Sequence, residues 1–341
     1  MATLRSDIII PEIFTPYVIE QTTQRDAFLA SGVVQPMAEL NATEGGDFIN
    51  VPFFKANLTG DFEVLSDSTS LTPGKITADK QVGVILHRGR AFESRDLAAL
   101  AAGSDPMAAI GAKIADYIAN QRQKDLLSCL AGVFGSLGSN DSASFVDLTI
   151  DGLTADTPTV LSPRHVAEAR SLLGDQGDKL TAICMHSKVY YDLVERKAID
   201  YVSTLEARGT TTTQSGGSLV GAYGGDASVP TYMGLRVIVS DDVQTAGSGG
   251  STEYATYFFT NGAVASGEQL ALQTETDRDI LAKSDAMSID LHYCYHPVGA
   301  KWGVSTVNPT RAQLETIGNW SKVYETKNIG CVRSTNTSNF D

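Results

Sequence analysis

Apolar and polar residues alternate most cleanly near the end of the chain. From Ala286 to His296 the sequence reads Ala-Met-Ser-Ile-Asp-Leu-His-Tyr-Cys-Tyr-His. That period of two predicts a long strand, stopped by Pro297-Val298-Gly299. A period of 3.6 rules the stretch from about 105 to 134. There Met107, Ile110, Ile114, Tyr117 and Ile118 form one stripe, continued by Leu126, Leu127, Leu130 and Phe134. Lys113, Asp116, Arg122, Lys124 and Asp125 are expected largely outside it. Ser104 is the expected cap, Asp105 suits the positive end of the helix dipole, and Pro106 sits where a missing N–H costs nothing. Gly135 is the expected stop. Such a helix spans about 45 Å at 1.5 Å per residue and can be the axis of a domain.

Residues 1 to about 46 read as an extended arm punctuated by Pro11, Pro16 and Pro36, with a helix-compatible stretch from Thr22 to Ala30. Strands are predicted at 47–54 and 81–87, joined by polar residues rich in Ser, Thr, Asp and Gly. A two-stranded excursion of this length is marginal alone in water and needs a neighbour to lie on. Residues 136–160 read as a linker or irregular crossing. Helices from Ser162-Pro163 to Gly174 and from Ser187 onward then alternate with strands at 180–185, 234–240, 254–260 and 264–272. That alternation predicts one mixed α/β layer domain. Glycine-rich loops at 208–226 and 244–252 interrupt it, and the chain closes on an increasingly polar tail.

Composition narrows the function. Hydrophobic residues make up 42% of 341, enough for a sizeable core. Lys plus Arg number 26 against 40 Asp plus Glu, a net charge of -14. Such a chain is a poor match for duplex nucleic acid, whose affinity comes from neutralising phosphates with Lys and Arg. Cys129, Cys184, Cys294 and Cys331 show no CxxC spacing and read as buried free thiols in a reducing compartment. The N-terminus has no signal-peptide pattern, and no stretch approaches the ~20 apolar residues of a membrane span. A cytoplasmic chain with no membrane partner is expected.

Catalytic motifs are missing: no GxSxG, no GxGxxG between strand and helix, no Walker loop and no HExxH. His292, Cys294 and His296 share one strand face, but neighbours along a strand sit about 6.5–7 Å apart. Ligands of one zinc ion need to lie much closer together. Polar tips on a half-buried face are therefore expected, with no metal and no cofactor. Glu275, Asp277, Arg278 and Asp279 form a compact charge group. It can be read as an acid/base carboxylate pair or as an arginine clamp. With no His or nucleophile nearby in sequence, the clamp is expected. His87-Arg88-Gly89-Arg90 is a small basic cluster expected to pair with acidic neighbours.

The order of these parts, an arm, a protruding hairpin, a long helix, a glycine-loop-rich α/β domain and a returning strand, resembles the major capsid proteins of tailed bacteriophages with the Johnson (Hong Kong 97-type) fold. Ile10-Pro11-Glu12-Ile13-Phe14 and Ser31-Gly32-Val33-Val34 resemble the family's arm. Met185-His186-Ser187-Lys188-Val189-Tyr190, Tyr232 to Asp242, and Phe259-Thr260-Asn261-Gly262-Ala263 resemble its A-domain. Thr276-Asp277-Arg278-Asp279, leading to His296-Pro297-Val298-Gly299, resembles its return strand.

The resemblance implies an α+β chain in four parts. These are an N-terminal arm at 1–46, an E-loop hairpin at 47–92, a P-domain at 93–150 and 275–341 with its spine helix at about 105–134, and a mixed α/β A-domain at 151–274. It implies a structural, non-enzymatic subunit that self-assembles into pentamers and hexamers of an icosahedral head enclosing double-stranded DNA. The subunit would be assembled in the host bacterial cytoplasm and reside in the virion. Its partners would be further copies, a portal, a separate scaffolding protein, a decoration protein, and packaged DNA bound without sequence specificity. Lys55, Lys75 and Lys80 of the E-loop, together with Arg88, Arg90, Asp277, Arg278 and Asp279, are the expected assembly contacts. An encapsulin-type nanocompartment shell shares the fold and is the alternative; a soluble α/β enzyme using Asp277 or Asp279 is a further one.

Overall fold

Pro106–Phe134 is a single helix of 29 residues, about 44 Å long at 1.5 Å per residue. It opens on proline and ends where Gly135 turns to φ 91°, a conformation glycine adopts without strain. The computed structural model describes residues 28, 31–41, 45–55, 62, 63, 71, 74–96, 106–137, 140, 141, 144–150, 159–203, 228–247 and 252–340. Most of the expected N-terminal arm, the caps Ser104 and Asp105, and the first glycine-rich loop lie outside the described residues.

The helix lies on a sheet of four strands among the described residues. At its centre Val264–Asp279 and Ser284–Pro297 run antiparallel. Val34–Pro36 flanks the first in parallel, and Leu86–Arg95 flanks the second antiparallel. Ile114, Ala115 and Ile118 of the helix pack on Met287 and Ile289 of the sheet. Phe92 meets Tyr117 edge to face at 5.7 Å. A separate hairpin, Phe48–Phe54 with Ala78–Val84, projects beside this layer. The strand expected at 81–87 is thus two strands broken at Ile85. The first pairs within the hairpin, and the second joins the long sheet.

A second sheet holds the other side of the core. Its main order is Asp200–Ser203, Ser228–Tyr232, Leu235–Val239, Leu180–Met185, Glu253–Thr260, Cys331–Thr337 and Thr149–Ile150. Pro163–Leu172 and Ser187–Glu195 are its helices. The first carries a Ser162/His165 capping box and the second is capped by the His186 side chain.

Two expectations fail here. The strand beginning at Val264 does not complete this sheet. Both edges of Glu253–Thr260 are already taken, by Leu180–Met185 and Cys331–Thr337. The chain therefore turns at Gly262 (φ 69°) and crosses to the other sheet. The polar tail is no tail. Cys331–Thr337 is an interior strand, and the expected linker supplies Thr149–Ile150 and Thr159–Val160 as its parallel neighbours. Two of its polar side chains find backbone partners inside, though the Ser334 hydroxyl is buried without one among the described residues. Arg333 is fully buried, donates to the Gly135 carbonyl at 2.7 Å and lies over the Phe134 ring. Asn336 donates to the Thr159 carbonyl at 3.4 Å.

Candidate assembly surfaces and the contacts that aim them

One buried carboxylate ties the long helix to the long sheet. Asp125 sits seven residues beyond Ile118, two helical turns on, so it shares the stripe that faces the sheet. Its side chain is 0% exposed, against the expectation that it falls outside that stripe. Arg311 donates from Nε to Oδ1 at 2.5 Å. Arg88 donates from Nε to Oδ2 at 3.2 Å, and the Tyr293 hydroxyl donates to the same oxygen at 2.5 Å. Burial and the adjacent carboxylate push the Tyr293 phenol upward, so it stays protonated and donates.

Local sequence aims each donor. Thr310 and Gln313 form a capping box that opens the short helix Arg311–Leu314 and sets Arg311 at its first position. Asn308 takes a positive φ of 45° and accepts from the His87 amide and from Arg88 Nη1. Arg88 Nη2 reaches the Pro309 carbonyl at 2.8 Å. With both Asp125 oxygens engaged by fixed donors, the cluster is a clasp and not a proton-transfer site.

A second buried network holds the root of the hairpin. The Gly299 amide donates to Gln81 Oε1 at 3.1 Å, and His296 Nε2 lies 3.1 Å from the same oxygen. A backbone N–H can only donate, which fixes the orientation of the Gln81 amide. Its nitrogen then donates to the Tyr324 hydroxyl at 2.6 Å. His296 must be the Nε2–H tautomer, and burial lowers its pKa to about 4. Phe53 closes the root, edge to face with Tyr324 at 4.7 Å.

From that root the hairpin carries apolar side chains into solvent. Phe54 is 72% exposed, and Phe62, Leu71 and Ile76 are exposed too. The turn between the two long strands does the same with Ile280 and Leu281. A monomer gains nothing by presenting such residues at the ends of protrusions; they read as surfaces to be covered.

The structure distributes the sequence-expected contact residues among these places. Lys55 pairs with Asp79 across the hairpin at 3.0 Å, which holds the Asp79 carboxyl below its usual range. Lys75 and Lys80 are exposed. Arg88 belongs to the clasp, and Arg90 stands exposed beside it. Arg278 is held by carboxylates, but by Asp96 at 2.6 Å and Asp285 at 2.8 Å and not by its sequence neighbours. Asp277 accepts from the Arg278 amide, and Asp279 accepts from the amides of Leu281 and Ala282. Those two amide bonds lower the Asp279 pKa and build the turn.

His292, Cys294 and His296 part company. His292 stacks on His87 with ring centroids 4.2 Å apart, Cys294 is buried, and His296 joins Gln81. No group of three metal-ligating side chains occurs among the described residues. No described helix is long and apolar enough to cross a membrane. Sequence reasoning missed Gln81, Tyr324 and Arg311, whose partners lie far along the chain. It also missed Asp125, whose spacing from Ile118 was the available signal.

A family model described as Gp13-like, major capsid protein 13-like, matches residues 12–332. The major capsid protein of Bacillus phage SPP1 is 38% identical over 338 residues, 96% of this chain and 96% of that protein. Among solved structures, the cyanophage Pam1 capsid asymmetric unit superposes with a TM-score of 0.58 at 15% identity, covering 93% of both chains. The capsid of Ralstonia phage GP4 gives 0.56 at 8% identity, covering 90% of this chain and 88% of that one. At those identities the structural matches speak for the fold, which is that of the Hong Kong 97-type capsid subunits.

Proposed function

The chain belongs to the Gp13-like family of major capsid proteins, and from that premise we propose how its parts build the icosahedral shell of a tailed phage. The hairpin Phe48–Val84 is the E-loop and covers a neighbouring copy with Phe54, Phe62, Leu71 and Ile76. The long helix and the four-stranded sheet are the P-domain. The larger sheet with its two helices is the A-domain, which meets other copies around the symmetry axes as pentamers and hexamers. Each contact can be modest, because closure multiplies it over the shell.

The observation that carries this reading is the pairing of rigid roots with apolar ends. The Gln81–His296–Tyr324 network holds the root of a hairpin whose described apolar side chains Phe54, Phe62, Leu71 and Ile76 are exposed. The subunit is a component of the virion. Assembly in the host cytoplasm, a portal, a separate scaffolding protein and a decoration protein complete the proposal. The net charge of -14 suits a container that holds duplex DNA without gripping it.

Negative-stain electron microscopy and light scattering test it, on the chain expressed with its neighbouring genes. Closed uniform shells are expected, with nucleic acid inside particles that package. A product that stays monomeric or dimeric under those conditions overturns the reading.

A further inference from the structure

A cavity beside the clasp has its carboxylate and amide oxygens engaged and its donors left over. It encloses about 330 Å³ between the long helix, strand Leu86–Arg95 and the start of helix Arg311–Leu314, within the size range of small-molecule sites. Arg88, Arg90 and Arg311 line it, against the one carboxylate of Asp125. Both oxygens of that carboxylate are taken, Oδ1 by Arg311 and Oδ2 by Arg88 and Tyr293. Arg311 Nη2 donates to Gln121 Oε1 at 2.6 Å, which leaves the Gln121 Nε2 amide turned the other way. Four donors of the lining remain: Arg311 Nη1, Gln121 Nε2, the Tyr117 hydroxyl and the exposed Arg90 guanidinium. None of them has a partner among the described residues.

The neighbouring acids do not supply the missing acceptor. Strand alternation puts Glu93 and Asp290 on the face of the sheet away from Arg88, Arg90 and the helix. Asp290 lies over Gly89 on that far face, where a Cβ on the glycine would meet its Oδ1. Glu315 accepts from Ser128 at 2.8 Å, and Asp116 has a partner of its own. The whole chain carries -14, so the positive surplus is local to this cavity. An anion relieves the repulsion between guanidiniums and takes charge-assisted hydrogen bonds from them. A carboxylate brings two oxygens and one charge. A phosphate group brings more acceptor oxygens and up to two charges, which matches donors at four positions and three guanidiniums facing one carboxylate.

We infer that this cavity binds a phosphate group. Arg90 and Arg311 Nη1 hold its charge, and Gln121 Nε2 and the Tyr117 hydroxyl donate to its remaining oxygens. Inorganic phosphate and a DNA backbone offer the same group, and the test separates them. The inference goes beyond the capsid reading and does not depend on it.

Thermal unfolding and titration calorimetry of the full unassembled chain test it. Inorganic phosphate is the probe, with chloride and acetate at equal ionic strength as controls. Saturating phosphate is expected to raise the melting temperature by about 2 °C beyond either control. Arg90→Gln leaves the clasp intact and should bind phosphate about tenfold more weakly, the loss of a charge-assisted hydrogen bond. Arg90→Lys should recover part of that affinity. A phosphate effect no larger than that of chloride, an equal effect of acetate, or an unchanged phosphate affinity in Arg90→Gln overturns the assignment. A blunt DNA duplex without terminal phosphates, followed by fluorescence anisotropy, separates the sources. If Arg90→Gln also weakens the duplex and lowers its salt slope by about one, the phosphate is that of a DNA backbone. If phosphate binding depends on Arg90 and duplex binding does not, the cavity takes free phosphate.

Discussion

Arg311 donates to Asp125 across 186 residues of sequence, from a four-residue helix near the end of the chain to the middle of the longest one. Arg88 and Tyr293 complete the set, so three segments distant in sequence meet the helix at one buried carboxylate. The clasp joins helix to sheet beside the apolar packing of Ile114, Ala115 and Ile118 on Met287 and Ile289.

Removing the carboxylate should be costly. Asp125→Ala leaves two guanidiniums and a phenol facing a cavity, and breaking a buried pair from one side costs on the order of 3–5 kcal/mol. Urea denaturation of the unassembled chain measures it. Arg88→Ala and Arg311→Ala should each cost less, and their effects should not add, because they share one acceptor. Strict additivity would mean the clasp does not act as a unit.

Gly132 makes an opposite case to helix propensity. On propensity alone, alanine inside a helix should stabilise by up to ~1 kcal/mol. A Cβ at this position, however, would run into the Leu314 carbonyl and the Trp320 indole. Gly132→Ala is therefore expected to lower stability by about 1–3 kcal/mol, the usual range for overpacking. A rise in melting temperature would show that the short helix can slide away.

How legible was this molecule before folding? Periodic segments were. The stripe from Ile110 to Phe134 and the alternation from Ala286 to His296 each mark one surface that must be buried, and both elements formed where the pattern lay. Segment pairing was less visible. Nothing local says that Val264 crosses to a different sheet; that follows only once both edges of Glu253–Thr260 are taken. Cys331–Thr337 misled for a related reason: Arg, Ser, Thr and Asn read as solvent-facing, and only the fold shows Gly135 and Thr159 waiting for Arg333 and Asn336. The charge group at 277–279 showed that an arginine would be clamped but hid its partners. Asp285 sits across the turn, and Asp96 arrives on another strand.

Acid should loosen the hairpin root in a defined window. The His296 pKa falls from 6.5 to about 4 in the folded chain, so at neutral pH the ring is uncharged folded or unfolded. Below 6.5 the unfolded chain takes up a proton that the folded chain refuses. Stability is then lost as pH drops from about 6.5 to about 4, up to roughly 3 kcal/mol at 1.36 kcal/mol per unit. His165 and His292 shift the same way and add to the slope. Asp79 and Asp279, with lowered values, lose their contribution only further down. Unfolding measured at pH 7.5, 6 and 5 should show a smaller decline in His296→Gln than in the unaltered chain. Equal slopes would place the acid sensitivity elsewhere.

Removing residues 331–341 looks harmless on composition, since the segment is polar and terminal. The pairing says otherwise. Cys331–Thr337 forms a seven-residue antiparallel ladder with Glu253–Thr260 and parallel contacts with Thr149–Ile150 and Thr159–Val160. Without it, one edge of the strand bearing Tyr257, Phe258 and Phe259 is stripped of its partner and left open to pair with other chains. The end of the long helix also loses Arg333 from the Gly135 carbonyl. A chain ending at Gly330 is therefore expected to be insoluble or aggregated. Arg333→Met, which keeps the ladder and most of the side-chain volume, should remain folded with reduced stability. Expression yield, circular dichroism and size-exclusion chromatography separate the cases. A soluble, cooperatively melting truncation would mean that the sheet does not depend on its interior strand.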